Sequence, residues 1–247
     1  MTWFVIPSKK PKAEAEVCIQ AWQAQGYSVA IWRDEGDESV ECDLLLMGKY
    51  PGYANAVNAL CREVLERHPK TEWLVSGGDD TLPDSNKRAD EIARECVRHF
   101  GMMRSPFPPE NGKPERWNSC TFGVMQPTGD RWGDSGGAYI DRIAGSPWMG
   151  AEWCRRMYGG EGPMWPGWQH FFVDEEIMQV AIMLGVFWQR PDLTHFHKHW
   201  IRDGKAMPRY LAEINSPAHW AKYKPMYDRR RAAGFPGHEP VQIEVAA

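Results

Sequence analysis

The stretch WLVSGGDDTLPD, residues 73–84, joins a short apolar run to two glycines and two adjacent aspartates. The run WLV is typical of a buried β-strand. Asp79 and Asp80 repel each other and attract water, so a buried strand end alone does not explain the pair. Two interpretations remain open. Asp and Pro are favoured in turns, whereas paired carboxylate oxygens also suit a divalent cation that bridges a diphosphate.

The segments around this stretch alternate between strand and helix patterns. The β-rich runs are TWFVIPS, YSVAIWRD, CDLLLMG and EWLVSGG, and the helical patterns are AEAEVCIQAWQAQ, YANAVNALCREVLERH and DSNKRADEIARECVRHFG. This alternation predicts an α/β fold with a mostly parallel, Rossmann-like sheet and helices on both faces.

The second half of the chain is less regular. Residues 101–118 are predicted as a loop, SCTFGVMQPTGD as a strand, and YIDRIAGSPWMGAEWCRRMYGGEGP as a strand, a turn and a short helix. VDEEIMQVAIMLGVFW has the apolar spacing of a helix, and a tail rich in proline follows it. We expect one domain over residues 1–200 and a basic extension over 201–247 that packs on it.

Composition places the chain among globular proteins of the cytoplasm. Hydrophobic residues make up 43% and charged residues 25% of its 247 residues. No run approaches the ~20 apolar residues of a membrane span, and the N-terminus has no signal-peptide pattern. The six cysteines are scattered without a C-x-x-C pair, which indicates reduced thiols.

Charge is unevenly distributed along the chain. Residues 186–247 carry 10 Lys and Arg against 6 Asp and Glu, although the net charge of the chain is −4. Arg229, Arg230 and Arg231 form the densest basic run. A basic tail could contact a polyanion, although a run of this kind is usually a solvated helix face.

Ligands of open α/β sheets bind beyond the carboxyl ends of the strands. The polar or turn-forming residues expected there are Pro7 and Ser8 after the first strand, Asp34 after the second, and Asp79 and Asp80 after the fourth. Mg²⁺ or Mn²⁺ bound by the two aspartates would take substrate phosphates as further ligands.

Two helix starts carry further candidates. In KYPGYANAVNAL, Asn55 and Asn58 offer paired donors and acceptors to a base, or serve only as a cap and a packing residue. In FFVDEEIMQVA, Asp174 and Glu176 open a helix, where the dipole favours acids. A carboxylate held there could also act as a general base on a hydroxyl group.

The run HFHKHW places three histidines at alternating positions. In an extended segment, His195, His197 and His199 point to one side, which makes one or two of them candidate metal ligands. The 13 tryptophans are also unusual. Trp148, Trp165 and Trp168 are candidates for a sugar-binding platform, with ordinary core packing as the alternative.

Taken in this order, these pieces resemble a nucleotide-sugar-dependent glycosyltransferase of the GT-A type over residues 2–200. The resemblance rests on the polar end of the first strand, the Asn-bearing helix start, the acidic strand end, the late acidic helix start and the C-terminal histidines. It implies a GT-A fold with a nucleotide-binding half at 1–100 and an acceptor half at 101–200.

Carried over by position, the resemblance gives Asp79 the last, metal-binding place of an Asp-x-Asp motif, with Asp80 directly after it. Gly77 stands where the first acid would be, and Asp34 falls where the family contacts the nucleoside. It implies Asn55 and Asn58 at the base, Asp174 as the acceptor's base with Glu176 beside it, and His197 or His199 as a metal ligand.

The resemblance implies a Mn²⁺ or Mg²⁺ cofactor, a nucleotide-sugar donor, expected to be a UDP-sugar, and a hydroxyl acceptor. PSKKP, GVMQPTGD, AGSPWMG and DLTHFHKHW also look like small bacteriophage glycosyltransferases, which would work in the host cytoplasm. One expected acceptor is therefore a hydroxymethylated base in phage DNA, held by Trp148, Trp168, Arg229 and Arg230. The alternatives are a glycan or small molecule, and a non-catalytic nucleotide-sugar or nucleic-acid-binding module.

Overall fold

The structure is a computed structural model that describes residues 1–106, 119–131, 140–202, 204 and 206–241. Its centre is a seven-stranded sheet in the order β3-β2-β1-β4-β7-β6-β8. The strands of this sheet are β1 (Thr2–Pro7), β2 (Ser28–Arg33), β3 (Leu44–Met47), β4 (Trp73–Val75), β6 (Val124–Pro127), β7 (Trp148–Gly150) and β8 (Phe187–Arg190). A separate two-stranded sheet pairs β5 (Thr81–Leu82) with β9 (Phe196–His197).

Helices flank the central sheet. They are α1 (Lys12–Ala24), α2 (Tyr53–Arg67), α3 (Ala89–Gly101), α4 (Ala151–Arg156), α5 (Val173–Met183), α6 (Arg209–Ile214) and α7 (Pro217–Ala232). Pairs β1–β2, β2–β3, β1–β4 and β6–β8 are parallel, and β7 alone runs antiparallel to its neighbours β4 and β6. The predicted α/β fold with a mostly parallel sheet is therefore confirmed.

The core lies where the sheet is covered on both faces. In the central strand β1, Phe4 and Val5 are completely buried, as are Leu74 and Val75 in β4. Strands covered on both faces are continuous apolar runs, because neither face can present polar side chains to water. This explains why TWFVIP and WLV carry no alternating pattern.

The reversed strand β7 brings the segment before it to the carboxyl end of β4. The amide of Ser76 donates to the carbonyl of Pro147 at 3.1 Å, and the hydroxyl of Ser146 donates to the carbonyl of Ser76 at 3.0 Å. The loop that contains the two aspartates is therefore packed against the start of β7. The strand predicted near Tyr139 begins instead at Trp148, after a 3₁₀ turn over Ile140–Arg142.

Two other predicted boundaries differ from the structure, and a third segment lies largely outside the described residues. The helix predicted from Asp84 begins at Ala89, because the Asp84 carboxylate accepts from the amides of Asn86 and Lys87 and holds a loop. The last residues of the helix predicted over 173–188 form β8 after Gly185, whose φ of +69° ends α5. The loop predicted over 101–118 lies, from residue 107 onward, outside the described residues.

The C-terminal helix α7 packs on the segment that leads into α5. Tyr227 stacks on Phe172 with ring centroids 4.7 Å apart, and Tyr223 contacts Trp168 edge-on at 6.1 Å. Both tyrosines are buried. None of the helices in the described part of the chain is both long and apolar enough to cross a membrane.

Candidate functional site

Asp79 lies beyond the carboxyl end of β4 and is held by the loop that follows β1. The hydroxyl of Ser8 donates to Oδ2 of Asp79 at 2.7 Å, and Nζ of Lys10 donates to the Asp79 carbonyl at 2.8 Å. The same Nζ is 3.4 Å from Oδ1 of Asp79. Burial raises the pKa of Asp79 against the opposing effect of Lys10 and Ser8. The Asp79 carboxylate is thus already engaged by protein groups.

Asp80 faces a histidine from the far end of the chain. Nε2 of His197 lies 3.1 Å from Oδ1 of Asp80, and the amide of Lys198 donates to the Asp80 carbonyl at 2.7 Å. The β5–β9 pairing creates this contact, since it sets Thr81 opposite His197. Burial alone would raise the pKa of Asp80, but the hydrogen bond and charge of His197 lower it overall.

A cavity of about 190 Å³ opens beside this acidic pair. Two lysines, Lys10 and Lys198, line it together with the two aspartates. The rest of its wall is formed by Glu14, Val17, Cys18 and Leu82. Ammonium groups beside carboxylates can neutralise a bound phosphate, while the carboxylates hold a cation against the same group.

The donor set fits a metal ion that binds together with a phosphorylated ligand. Among the described residues, no group of three or more His, Cys, Asp or Glu side chains is arranged to hold a metal. Asp80 and His197 are the two side chains that could serve as protein ligands, and Mg²⁺ or Mn²⁺ usually completes its shell with water and substrate phosphates. Of the two predicted metal-binding acids, Asp80 rather than Asp79 faces the histidine.

The other two histidines of the run lie in different environments. The ring of His199 is 5.0 Å from that of His197 and 4.9 Å from that of Trp200, so it lies at the edge of the site. Burial lowers the pKa of His199. His195 is part of the core, because its Nδ1 bonds the Ser146 hydroxyl at 2.7 Å and burial lowers its pKa to about 3.

The two glycines before the aspartates stand where space is limited. A Cβ at residue 77 would lie 3.0 Å from the Ser146 hydroxyl, which is itself bonded to His195 and Ser76. A Cβ at residue 78 would collide with Oδ1 of Asp80. The missing first acid of the motif is therefore explained by packing, because neither position accepts a side chain without moving its neighbour.

The residues expected to bind the nucleoside have mostly structural partners. Asn58 is buried, and its amide both donates to the Met164 carbonyl at 2.7 Å and accepts from the Met164 amide at 3.1 Å. Asn55 donates to the carbonyls of Pro51 and Pro166. The expectation that both would read a base is corrected for Asn58, whose side chain has no free edge.

At the end of β2, Asp34 remains at the protein surface. Its Oδ1 accepts from the amide of Tyr50 at 2.8 Å, and its Oδ2 lies 3.8 Å from Nζ of Lys9. Pro7 ends β1 and pairs with Trp32 of β2, which leads the chain to Ser8 beside Asp79. Pro7, Ser8 and Asp34 thus share the sheet edge where Asp79 and Asp80 lie.

The three acids that open α5 have different environments. Asp174 is half-buried, and its Oδ1 accepts from the amide of Glu175 at 3.2 Å. Burial, assisted by Asp174, raises the pKa of Glu175 to about 9. At neutral pH, the Glu175 carboxyl therefore keeps its proton.

Glu176 belongs to a buried ion pair. Its side chain is 1% exposed, and its two oxygens accept from Arg230 at 2.7 and 2.9 Å. They also accept from the Trp168 indole at 2.9 Å and from the Tyr158 hydroxyl at 3.1 Å. The expectation of a catalytic Glu176 is corrected, because protein donors occupy the carboxylate. The same contacts remove Arg230 from the acceptor-binding surface.

The predicted tryptophan platform is corrected for Trp148 and Trp168, whereas Trp165 is half-buried with the Arg230 guanidinium 3.6 Å above its ring. Trp148 and Trp168 are fully buried, so neither ring can stack on an acceptor. Among the described tryptophans, Trp220 of α7 is the one with an exposed side chain, at 45%. It packs against Phe172 at 4.8 Å, two residues before Asp174. Arg229 is exposed on α7.

The sequence did not predict that Lys10 and Lys198 line the cavity beside the two aspartates or that Trp220 is exposed near Asp174. In the sequence, Lys10 belongs to the short run SKKPK after the first strand, and Lys198 lies between two histidines. The spacing of Lys198 from its neighbouring histidines does not predict that its side chain lines the cavity. That position depends on the pairing of β9 with β5. The exposure of Trp220 follows from tertiary packing, which composition does not reveal.

The comparisons with known proteins identify no family for this chain. No family model matches the chain, and no curated protein matches it. A solved structure described as the "crystal structure of a glycosyltransferase involved in the glycosylation of the major capsid of PBCV-1" aligns at 12% identity with a TM-score of 0.33. The alignment covers 62% of this chain and 61% of that one, so the chain spans less than two thirds of that structure. The sheet topology and the lining of the cavity by themselves define an α/β protein with an acidic, lysine-lined cleft at its sheet edge.

Proposed function

We propose that this protein is a GT-A-type glycosyltransferase that takes a sugar from a nucleotide-sugar, expected to be a UDP-sugar, to a hydroxyl acceptor. The observation that carries the proposal is the 3.1 Å contact between Asp80 and His197, in a cleft that also holds Asp79, Lys10 and Lys198. Carboxylate, imidazole and ammonium groups at one sheet edge match the charge of a metal-bound diphosphate.

Asp80 and His197 would hold Mn²⁺ or Mg²⁺, which, when bound, supplies positive charge for the leaving diphosphate. Lys10 and Lys198 place two further positive charges at the wall of the cavity. Ser8 fixes the Asp79 carboxylate at 2.7 Å, so the loop of the two aspartates is ordered before a ligand arrives. The chain's own charges thus favour departure of a diphosphate from an anomeric carbon.

Asp174 would supply the negative charge on the acceptor side. The segment before α5 is tied to the aspartate loop through Tyr53, whose amide donates to the Gln169 carbonyl at 2.9 Å. The Tyr53 hydroxyl donates to the Gly77 carbonyl at 3.1 Å. Tyr53 therefore connects the segment before α5 with the loop of the two aspartates. This connection supports one shared site for the nucleotide-sugar and the acceptor.

The finer acceptor proposal is a hydroxymethylated base in DNA. Its support is the α7 surface, where Lys222, Arg229 and Arg231 are exposed and Trp220 presents an indole face. Cations attract a phosphate backbone, and an exposed indole stacks on a base. A glycan acceptor remains the second candidate, because the same indole can lie against a sugar ring.

The test is UDP release from a panel of UDP-sugars with Mn²⁺, Mg²⁺ or EDTA. We expect metal-dependent release that falls at least ~100-fold in D80N, with D90N, an exposed acid on α3, as the matched control. Binding of UDP without any release would identify a binding module instead. Mass spectrometry of hydroxymethylated DNA, unmodified DNA and oligosaccharides after incubation then identifies the acceptor by an added hexose.

A further inference from the structure

A histidine that the acceptor chemistry above does not use lies four residues before Asp174 in the sequence. His170 is half-buried in the segment that leads into α5. Its Nε2 lies 3.0 Å from Oδ1 of Asn215, a residue between α6 and α7. Because an amide oxygen only accepts, Nε2 must carry the proton of this bond. The other ring nitrogen, Nδ1, then has a free lone pair.

The segment that carries His170 is linked through Tyr53 to the loop of the two aspartates. Its neighbour Gln169 accepts from the amide of Tyr53, and the hydroxyl of Tyr53 donates to the carbonyl of Gly77 beside the two aspartates. On its other side, the ring of Phe171 lies 5.2 Å away and contacts the exposed Trp220 at 5.3 Å. The segment of His170 thus contacts Tyr53 through Gln169 and the exposed Trp220 of α7 through Phe171.

We propose that His170 is the proton acceptor on the acceptor side of this glycosyltransferase, with Asn215 as the residue that positions it. Nδ1 takes the proton of the acceptor hydroxyl, while its oxygen forms the bond to the anomeric carbon. The bond from that carbon to the diphosphate breaks, and its electron pair leaves with the diphosphate. Asp174 stabilises the imidazolium that forms. The inference rests on the proposed function and assigns the atom that receives the proton.

The charged neighbours of His170 suit this role. Burial is the main cause that lowers the pKa of His170, and His219 of α7 acts in the same direction. The hydrogen bond to Asn215 and the negative charge of Asp174 act in the opposite direction. His170 is therefore neutral at pH 7, as a base must be, and Asp174 favours its protonated form once the proton has moved.

The first test uses nitrogen NMR of the intact protein and needs no turnover. We expect the side-chain shifts of His170 to report a protonated Nε2 and an unprotonated Nδ1 at pH 7.5. We expect N215L to lose this single tautomer. A protonated Nδ1 in the wild-type protein would overturn the proposal, because that atom could not receive a proton.

The second test follows UDP release against pH. We expect H170Q to lower kcat about 100-fold with little change in KM for the UDP-sugar. In N215D, the new carboxylate still accepts from Nε2 and its negative charge raises the pKa of His170. The variant should therefore retain activity, and the acidic limb of its pH–activity profile should move to higher pH. H99Q is the matched control, because His99 stacks on Trp188 at 3.9 Å and its pKa is also lowered by burial.

The outcomes separate the two levels of the proposal. Wild-type protein that releases no UDP from any nucleotide-sugar refutes the glycosyltransferase function and, with it, the role of His170. Wild-type release together with an H170Q variant of unchanged kcat and unchanged pH profile overturns the role of His170 alone. An equal loss of activity in H99Q and H170Q would also overturn it, since general destabilisation would then account for both.

Discussion

Nε2 of His197 lies 3.1 Å from Oδ1 of Asp80, and the strand that carries His197 pairs with the strand that follows Asp80. Two residues that are distant in sequence are thus brought together by a ladder of only two residue pairs. The acidic strand end and the histidine run are parts of one site for this reason. The same pairing places Lys198 at the cavity wall.

The first prediction concerns this pair. H197Q should raise the Mn²⁺ concentration needed for half-maximal UDP release at least tenfold, because it removes one of two protein ligands. H199Q should change that concentration much less, since His199 lies at the edge of the site beside Trp200. Titration of UDP release with Mn²⁺ measures both. Equal effects would mean that His199 is as important for the metal as His197.

The second prediction concerns the two glycines. G77D, which restores the acid that the motif lacks, should lower the melting temperature without increasing metal affinity. The new side chain meets the Ser146 hydroxyl, whose bonds to Ser76 and His195 leave it little freedom to move. G78A should leave stability closer to that of the wild type and weaken Mn²⁺-dependent UDP binding, because its Cβ displaces the Asp80 carboxylate. Calorimetry and UDP titration test the pair. Tighter Mn²⁺ binding by G77D would contradict the packing explanation.

The third prediction concerns acid unfolding. The pKa of His195 falls from 6.5 to about 3 in the folded protein. Below pH 6.5 the unfolded chain therefore binds a proton that the folded protein does not, and stability falls as pH falls. The slope is about 1.4 kcal/mol per pH unit until pH nears 3. H195Q should be less stable than the wild type at pH 7.5, because it loses the bond to Ser146, yet its stability should depend less on pH. Urea unfolding between pH 7.5 and 4.5 measures both slopes, and parallel slopes would refute the assignment.

The fourth prediction concerns the carboxyl pair of α5. The pKa of Glu175 rises from 4.5 to about 9, chiefly through burial. Its contribution to stability is therefore complete below pH 4.5 and is lost as pH rises through 9. E175Q keeps the neutral side chain at all pH values, so it should be more stable than the wild type at pH 8.5 and nearly equal to it at pH 4.5. Thermal unfolding at the two pH values checks this, and an E175Q variant that is less stable at pH 8.5 would contradict it.

The fifth prediction separates structure from chemistry at Glu176. R230M should lower the free energy of unfolding by about 3 to 5 kcal/mol, because it leaves the Glu176 carboxylate buried without its cation. The double variant E176M/R230M should recover part of that loss, since it removes both charges. K224M, which breaks the exposed pair with Asp228, is the control and should change stability by less than about 1 kcal/mol. Folded E176M/R230M should still release UDP, whereas a catalytic Glu176 would make it inactive.

The regular first half of the fold could be predicted because its signals are local. Apolar runs such as WLV and periodic helices such as α2 report their own structure, and their alternation fixes a parallel sheet. The antiparallel course of β7 could not be predicted in this way. It depends on hydrogen bonds between residues far apart in sequence, such as those from Ser76 and Ser146, and a three-residue strand carries no direction of its own.

The candidate site was predictable in part for a related reason. Asp80 and His197 stand out by residue type, so composition and spacing identify them. Asn58, Glu176 and Trp168 have equally suggestive residue types, but each is satisfied by contacts with segments distant in sequence. These partners decide whether a polar or aromatic side chain faces solvent or the protein interior. A single sequence does not show which distant residues will be in contact.

The ion pair between Glu176 and Arg230 also has a consequence for synthesis of the chain. Glu176 emerges from the ribosome well before Arg230. Until Arg230 has been made, the Glu176 carboxylate has no cation to pair with, and its unpaired negative charge opposes its burial. The segment around α5 is thus expected to finish folding only after α7 has been made. Helix α7 would then be required to complete this part of the fold, because without Arg230 the carboxylate of Glu176 in the helix that carries Asp174 has no buried cation.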